Sequence, residues 1–475
     1  MASAREQIRS LVRSGDTFDQ PAEDMTELQL EAAREAFAAH RERIPLLRTR
    51  AEETGVREVA GLDDLVPLLF SHTSYKSYPV SLITAGRWDR LLRWYSTVSV
   101  VEPDEVDVDG VRDIDEWTER ITAAGHRPYI TSGTSGKVSF LNCDGSDLRF
   151  LHDILENLTC WPDPLPPDPV RRGYLLAPAS GPMRSIDGFR WHADVFALPG
   201  ETRLLTEDPM RVSELMSSAL LRRRMAEGIA TPQEISSFET ASGSREEELG
   251  AAMTRIVDDI AAHRDEPLLI AGMNNQQFTL IQALRARGVP DGGLHPDTLV
   301  LSGGGNKGRA LPDDYQQQFA AFYQGVRRVR SYGMTELQGS CLACEKGNFH
   351  VPPWVIPLVL DEAGEKLLNP EHGVVEGRFA FLDVSLEGRW GGLISGDRVF
   401  VDFSPCECGR SGPAVLPDIQ RYGDLGGDDK ITCRNCATPS PAPASSAWCH
   451  SGRREACHPA SPTTASIRCN GSCAG

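Results

Sequence analysis

The sequence predicts an α/β protein with a mostly parallel sheet and a smaller β-rich subdomain. Segments with helical periodicity alternate with short apolar runs over residues 174–325, and this alternation predicts βαβ units. After residue 350 the apolar runs come closer together, which predicts antiparallel strands. The length of 475 residues leaves room for more than one domain-sized unit around a large core.

Each element is predicted from the spacing of its apolar residues. Residues 25–43 show helical periodicity and contain neither Gly nor Pro. Further helices are predicted at 209–228, 245–264, 274–287 and 312–325. Strands are predicted at the short apolar runs 174–179, 194–198, 268–272 and 298–305. The later strands are predicted in the runs WVIPLVLD, RFAFLDV and RVFVDF.

Charge excludes several classes of partner. The chain has 67 acidic and 49 basic residues and a net charge of -18, which argues against general binding to nucleic acid or to an anionic membrane. The first residues are charged and lack the apolar core of a signal peptide. No stretch approaches the ~20 apolar residues of a membrane helix. We therefore expect a cytoplasmic protein whose thiols are reduced or metal-bound.

Only 6 of the 49 basic residues are Lys. Since nearly all basic residues are Arg, each of the few Lys residues is a candidate for chemistry that needs an amine. Lys137 lies in YITSGTSGKVSF, residues 129–140, where Gly133 and Gly136 can turn backbone N–H groups into one concave nest. Such a nest suits a polyphosphate. The spacing is not that of a Walker A loop, and an ordinary polar turn explains this segment alone equally well.

Four later segments give this loop its context. SGGGNKG (302–308) follows a predicted strand, and SYGMTE (331–336), SGD (395–397) and IQRYGDLGGDDKIT (419–432) come after it in that order. The ordered set resembles the motifs of the adenylate-forming superfamily, which contains acyl-CoA synthetases and nonribosomal adenylation domains. It spans about 300 residues and is far more specific than any single motif. The resemblance implies the large N-terminal domain of that superfamily and the use of ATP.

The resemblance also implies a role for each residue. In acid activation an acid oxygen attacks the α-phosphate of ATP and pyrophosphate leaves, so positioning and charge stabilisation dominate. Lys137, Thr335 and Glu336 would be catalytic, with Glu336 binding Mg²⁺ and Thr335 contacting the α-phosphate. The phosphate loop would comprise Thr131, Ser132, Gly133, Thr134, Ser135, Gly136 and Lys137. The nucleoside contacts would be Gly304, Gly305, Tyr332 and Gly333 for adenine, Asp397 for ribose, and Arg421 for ribose or phosphate.

A second group of residues has metal-ligand spacing. Cys341, Cys344 and His350 form one cluster, and Cys406 and Cys408 form a remote pair. Four N or S ligands from these five would close a structural zinc site, although reduced, unliganded thiols are the alternative. The segment CECGRSGP (406–413) resembles a Cys-containing CGR segment of the phenylacetate-CoA ligase-like branch, some members of which bind zinc. That resemblance favours zinc.

The acid and the acceptor are predicted from two aromatic segments. SHTSYKSYP (71–79) and HVPPWV (350–355) are similar to segments of ATP-dependent diazotases of the cremeomycin type. The resemblance implies that ATP activates nitrite and that an aromatic amine of the aminobenzoate type attacks it, giving a diazo group in antibiotic biosynthesis. Ordinary core packing explains each aromatic residue equally well. The alternatives are an aryl or acyl carboxylate–CoA ligase, an acyl-protein synthetase and a non-enzymatic nucleotide-binding regulator.

The domain prediction divides the chain at residue 430. Residues 1–430 would form the AMP-binding domain, and residues 431–475 a low-complexity tail. The tail holds 6 of the 12 Cys and contains no Leu, Val, Phe, Tyr or Met, so it cannot bury a core. Members of the superfamily continue into a lid domain whose Lys contacts the acid, but no Lys follows Lys430. We expect a form without the lid, slow at adenylation, or a frame-shifted tail; a natural disordered or metal-binding tail is the alternative.

Overall fold

A computed structural model describes residues 2–15, 17–131, 137–304 and 311–425. The chain divides into two units, Met1–Arg434 and Asn435–Gly475, and every described residue belongs to the first. The tail and the domain boundary at residue 430 lie outside the described residues. That boundary therefore stays a prediction.

The helices of the described chain mostly follow the predicted segments. The predicted helix at 25–43 lies inside α2, and the one at 274–287 matches α11 closely. The helices are α1 (Ala4–Ser10), α2 (Ala22–Arg43), α3 (Pro45–Thr54), α4 (Ser81–Thr84), α5 (Trp88–Val98), α6 (Ile114–Ala123), α7 (Gly145–Leu158), α8 (Arg184–Phe196), α9 (Val212–Ala226), α10 (Pro232–Ala262), α11 (Asn274–Ala286) and α12 (Tyr315–Phe322).

The strands divide into an early group before residue 330 and a later group whose strands follow one another at short intervals in the sequence. They are β1 (Phe70–Ser71), β2 (His126–Thr131), β3 (Ser139–Asp144), β4 (Arg171–Pro178), β5 (Ala197–Thr206), β6 (Leu268–Met273), β7 (Leu299–Gly303), β8 (Arg327–Val329), β9 (Ser331–Tyr332), β10 (Cys341–Ala343), β11 (Phe349–His350), β12 (Val355–Leu360), β13 (Val374–Asp383), β14 (Gly392–Asp402), β15 (Ala414–Val415) and β16 (Gln420–Arg421). The predicted strand at 194–198 is wrong in part, because α8 continues to Phe196.

Five of the early strands form a parallel sheet in the order β5-β4-β6-β7-β8, while β2 and β3 form a separate antiparallel hairpin. Every neighbouring pair in it is parallel, and helices connect the strands, as the alternating pattern predicts. The central strand β6 is apolar along its length because helices cover both faces of such a sheet. The carboxyl ends of these strands meet at one edge, which is where α/β folds bind ligands.

The later strands form the predicted β-rich part. Its sheet runs in the order β12-β13-β14-β15-β11-β10-β9, with β1 and β16 also paired to β14. All of these pairings are antiparallel except that of β1 with β14. The sheet matters for function because it brings together residues that lie far apart in the sequence. Tyr332 on β9, Asp397 on β14 and Arg421 on β16 all belong to it.

A cluster of buried aromatic rings supports the hairpin of β2 and β3. The Phe140 ring lies 5.5 Å from both the Tyr78 and the Trp117 rings, and 6.4 Å from the Tyr95 ring. Edge-to-face packing of this kind adds to the stabilisation that burial of large apolar area provides. The hairpin carries the predicted phosphate loop between its strands. Packing of Phe140 therefore fixes the strand that follows this loop.

Membrane spans are absent from the described part of the chain. None of its helices combines the length and the apolarity that a bilayer crossing requires.

His40 on α2 makes stability depend on pH. Its ring is 2% exposed, and Nδ1 and Nε2 lie 2.9 Å and 3.2 Å from the carbonyl oxygens of Ala36 and Glu387. Burial, with the nearby charge of Arg5, lowers the pKa of His40 to about 4. The unfolded chain has a histidine pKa of about 6.5. The His40 contribution to stability is therefore complete above pH 6.5 and is lost as pH falls towards 4.

The variant His40→Gln tests this dependence. We expect the difference between the unfolding free energies of wild type and variant to shrink by about 2 kcal/mol from pH 7.5 to pH 5. Only the wild type has an imidazole here that is protonated at pH 5 in the unfolded chain and stays neutral in the folded protein. Urea unfolding followed by Trp fluorescence at both pH values measures it. A difference that stays constant would show that His40 keeps an ordinary pKa in the folded protein.

Candidate functional site

The candidate site lies at the carboxyl edge of the parallel sheet. Strand β7 ends there at Gly303, and Gly304 follows with φ +82°, a conformation that favours glycine. A Cβ on Gly304 would meet Met273 Cε, the end of a flexible side chain that can move aside, so the positive φ is what favours glycine here. Asn274 Nδ2 donates a hydrogen bond of 2.6 Å to the Gly304 carbonyl. These contacts fix the backbone where the adenine pocket is predicted.

Three residues predicted to bind the nucleoside meet just beyond β8, the strand that pairs with β7. The Tyr332 hydroxyl donates a hydrogen bond of 2.8 Å to Asp397 Oδ2, and Arg421 Nε lies 3.6 Å from Asp397 Oδ1. Asp397 and Arg421 face each other across β14 and β16. Burial, with the Asp397 charge, raises the pKa of Tyr332 well above its ordinary value, so the phenol stays protonated and donates. A carboxylate accepts several hydrogen bonds, so Asp397 can bind further hydroxyl donors.

Thr335 and Glu336 lie in the turn of residues 333–340, which follows β9. The Glu336 carboxylate makes no hydrogen bond or ion pair with any residue that the structure describes, and the side chain is half-buried. A single carboxylate supplemented by phosphate oxygens is a usual ligand set for Mg²⁺, so Glu336 fits the predicted role. Gly333 begins this turn and lies against Ser340. A Cβ on Gly333 would collide with the Ser340 side chain.

Sequence reasoning missed two arginines that hold this turn. Arg389 Nη2 donates to the Glu336 carbonyl at 2.9 Å, and Arg184 Nη2 donates to the Met334 carbonyl at 2.7 Å. Neither arginine belongs to a motif with recognisable spacing. The only signal is that Arg389 stands in an otherwise apolar segment, RWGGLI.

The hairpin places both ends of the predicted phosphate loop. Thr131 ends β2 and pairs with Ser139, the first residue of β3. Lys137 Nζ donates a hydrogen bond of 2.8 Å to the Tyr78 carbonyl and lies 5.5 Å from the centre of the Tyr78 ring. Burial lowers the pKa of Lys137. Six predicted residues lie outside the described chain, and their roles stay predictions: Ser132, Gly133, Thr134, Ser135, Gly136 and Gly305.

The structure selects four of the five candidate zinc ligands. The ligand atoms of Cys344, His350, Cys406 and Cys408 all lie within 4.8 Å of one another. Cys408 Sγ is 3.3 Å from His350 Nε2, and the other ring nitrogen, Nδ1, is buried without a partner among the described residues. Cys341 lies outside this group on β10, where burial raises its pKa to about 12. We call these four residues the Cys/His cluster.

The geometry of the Cys/His cluster fits a structural zinc ion. Three thiols and one imidazole are the donor types of closed tetrahedral zinc sites. Two tight turns present the thiols, and each contains a glycine with positive φ, Gly347 at +90° and Gly409 at +94°. In both turns the glycine N–H donates to the carbonyl of a cluster residue, Cys344 or Cys406, at 2.9 Å. The cluster therefore joins the segment after Glu336 to the segment after β14.

The aromatic residues of the two predicted substrate segments lie in the core. Tyr75 is 2% exposed, and its hydroxyl donates to the Trp390 carbonyl at 3.0 Å. Trp354 is fully buried, and its Nε1 donates to the Gln338 carbonyl at 2.8 Å. Both rings have their polar atoms bonded inside the protein. Packing therefore explains them without a substrate.

Comparisons with known proteins agree with this architecture. No protein-family model and no curated protein matches the sequence. Among solved structures, 2-hydroxyisobutyryl-CoA ligase with 2-HIB-AMP and CoA in the thioesterification state has a TM-score of 0.52 at 14% identity, covering 86% of this chain and 70% of that chain. The same ligase in the postadenylation state with 2-HIB-AMP has a TM-score of 0.53 at 13% identity, with the same coverage of 86% and 70%. The described chain therefore has a fold similar to that of these ligase structures.

Proposed function

We propose that this protein is an ATP-dependent, AMP-forming ligase. An oxygen of the acid attacks the α-phosphorus of ATP, the bond from that phosphorus to the β-phosphate oxygen breaks, and pyrophosphate leaves. One observation carries the proposal: Tyr332, Asp397 and Arg421, from three separate motifs, meet one another just beyond β8, the strand that pairs with β7. The similarity of the fold to a ligase solved with an acyl-AMP supports the same reading.

The residues of this edge suit the parts of the nucleotide. The Tyr332 ring and the backbone at Gly304 would flank adenine, and Asp397 would accept hydrogen bonds from the ribose hydroxyls. Thr335 would place its hydroxyl beside the α-phosphate. Glu336 would hold Mg²⁺, which when bound neutralises charge on the phosphates. Lys137 would supply positive charge to the leaving pyrophosphate after exchanging its bond to Tyr78 for a phosphate oxygen.

For the finer assignment we propose a carboxylic acid as substrate and CoA as acceptor. The ligase of similar fold was solved with an acyl-AMP and CoA. The diazotase hypothesis depends on segments whose rings, Tyr75 and Trp354, are engaged inside the protein. Nitrite and an aromatic amine therefore have less support here, and they form the second arm of the test.

We also propose that Cys344, His350, Cys406 and Cys408 hold a structural Zn²⁺. The support is a convergent set of four N and S donors, three of them buried. The ion would brace the sheet near Tyr332, because the Phe349 ring beside His350 lies 6.3 Å from the Tyr332 ring. Its role would be structural, since all four coordination positions would belong to the protein.

Release of AMP tests the assignment. The protein is incubated with ATP and Mg²⁺, and either a carboxylic acid panel with CoA or nitrite with aminobenzoates is added. We expect AMP and a thioester in the first arm and neither AMP nor a diazo chromophore in the second. AMP that depends on nitrite and amine would replace the ligase by the diazotase. Binding of ATP without AMP in either arm would favour a nucleotide-binding regulator.

A further inference from the structure

The turn that carries Thr335 and Glu336 is held in place by hydrogen bonds to its backbone carbonyl groups. Residues 334–339 have no strand or helix that would fix their conformation. Instead, two arginine side chains from other parts of the chain donate hydrogen bonds to the backbone of this turn. We call residues 334–339 the acidic turn. One local hydrogen bond, from Leu337 N–H to the Met334 carbonyl at 3.1 Å, lies within the turn, and the long-range bonds from the two arginines add to it.

Arg389 links the acidic turn to the strand after the phosphate loop. Its Nη2 donates to the carbonyls of Glu336 at 2.9 Å and Thr335 at 3.4 Å, and its Nη1 donates to the Asn142 carbonyl on β3 at 2.6 Å. The side chain is 1% exposed, and these partners are carbonyl groups rather than carboxylates. Burying a cation among neutral carbonyl groups costs free energy. The planar guanidinium donates to several carbonyls in a fixed geometry, which neither lysine nor an apolar residue would reproduce.

Arg184 holds the same turn through four of its carbonyl groups. It begins α8, and its Nη2 donates to the carbonyls of Met334 at 2.7 Å and Gly339 at 3.3 Å. Its Nη1 donates to the carbonyls of Leu337 and Thr335. Arg184 therefore bonds both ends of the acidic turn and two carbonyls within it, and it shares the Thr335 carbonyl with Arg389.

We propose that Arg389 and Arg184 are positioning residues that set the Glu336 carboxylate and the Thr335 hydroxyl relative to Mg²⁺·ATP. The inference rests on the proposed function, because it is in that function that the acidic turn binds Mg²⁺·ATP. Neither arginine needs to touch the nucleotide. Misplacement of a catalytic group by about 1 Å can cost about 100-fold in rate, so loss of the fork should lower turnover more than it lowers ATP affinity.

The test compares Arg389→Lys with a matched control, Arg171→Lys, in the full chain. Arg171 is also buried and bonded to carbonyls, those of Asp297 and Asp168, but it lies at the start of β4, away from the carboxyl edge. Lysine keeps the charge and loses the fork in both variants. A second variant, Arg184→Lys, changes a half-buried side chain and covers the case in which Arg389→Lys fails to fold.

Three readouts are measured. Amide hydrogen exchange of the peptide 331–343 without ligand reports the acidic turn directly. Electron paramagnetic resonance with Mn²⁺ and ATP reports binding of the metal-nucleotide. The rate of AMP formation against Mg²⁺ and ATP separates kcat from KM. For Arg389→Lys or Arg184→Lys we expect about 10-fold faster exchange in the peptide, an altered Mn²⁺ spectrum in the nucleotide complex, and a kcat lower by about 100-fold with KM for ATP nearly unchanged. Arg171→Lys should leave all three at the wild-type values.

The outcomes separate this inference from the proposed function. If both arginine variants match Arg171→Lys in hydrogen exchange and in the Mn²⁺ spectrum, the positioning role is wrong. If the wild type forms no AMP but the variants still lose protection in peptide 331–343, the proposed function fails and the structural part of the inference stands. A kcat and a KM that worsen together, without a change in exchange, would also overturn the positioning role.

Discussion

Replacing Glu336 by Gln is expected to lower the rate of acid-dependent ATP–pyrophosphate exchange about 100-fold or more. Glutamine keeps the size of the side chain but removes the charge that Mg²⁺ requires from its protein ligand. The Glu336 carbonyl would still accept its bond from Arg389, so the acidic turn should keep its shape. The experiment measures exchange of labelled pyrophosphate into ATP at several Mg²⁺ concentrations. A higher Mg²⁺ requirement is expected together with the lower rate.

A matched control is Glu42→Gln. The Glu42 side chain is 73% exposed at the end of α2, and it should leave the exchange rate and the Mg²⁺ requirement unchanged. If Glu336→Gln and Glu42→Gln retain equal exchange rates, Glu336 is not the metal ligand. The role carried over from the SYGMTE motif would then be lost.

Replacing Cys406 by Ser should remove the zinc and destabilise the fold. A closed site of four protein ligands loses most of its affinity when one thiolate is replaced, and binding energy at such a site is folding energy. We expect bound zinc to fall from one ion per chain towards zero. We also expect a loss of about 3 kcal/mol or more in the free energy of unfolding. Plasma mass spectrometry of protein purified without added zinc, with thermal unfolding of the same sample, measures both.

Cys341→Ser is the control for the Cys/His cluster. Cys341 is buried on β10 but lies outside the cluster, so this variant should keep one zinc ion per chain. Wild-type protein that is folded and carries far less than one zinc ion per chain would contradict the site. The four residues would then be reduced thiols and a buried histidine.

The fold could be predicted because its pattern is repeated. Alternating segments such as 268–272 and 274–287 became β6 and α11 with almost the predicted bounds. The run 194–198 could not be predicted, since a short apolar run suits the end of a buried helix as well as a strand. Helix α8 extends to Phe196, and β5 begins only at Ala197.

The candidate site could be predicted only for residues that lie in recognisable local motifs. The ordered motifs assign Tyr332, Asp397 and Arg421 to one nucleotide site; the structure places these three side chains together, and their roles stay predictions. Arg184 and Arg389 could not be found in this way, because their partners are carbonyl groups at distant positions in the sequence. No residue spacing records such contacts. The position of Cys341 likewise depended on strand pairing, which places it opposite Tyr332.

Acid-dependent exchange of labelled pyrophosphate into ATP tests the central claim most directly, because it requires only the activation of an acid at the α-phosphate. The full chain is supplied with ATP, Mg²⁺, labelled pyrophosphate and a panel of carboxylic acids, without CoA. We expect label in ATP that depends on at least one acid, on Mg²⁺ and on Glu336. Protein that is folded and binds ATP, but exchanges no label with any acid or with nitrite, would contradict it.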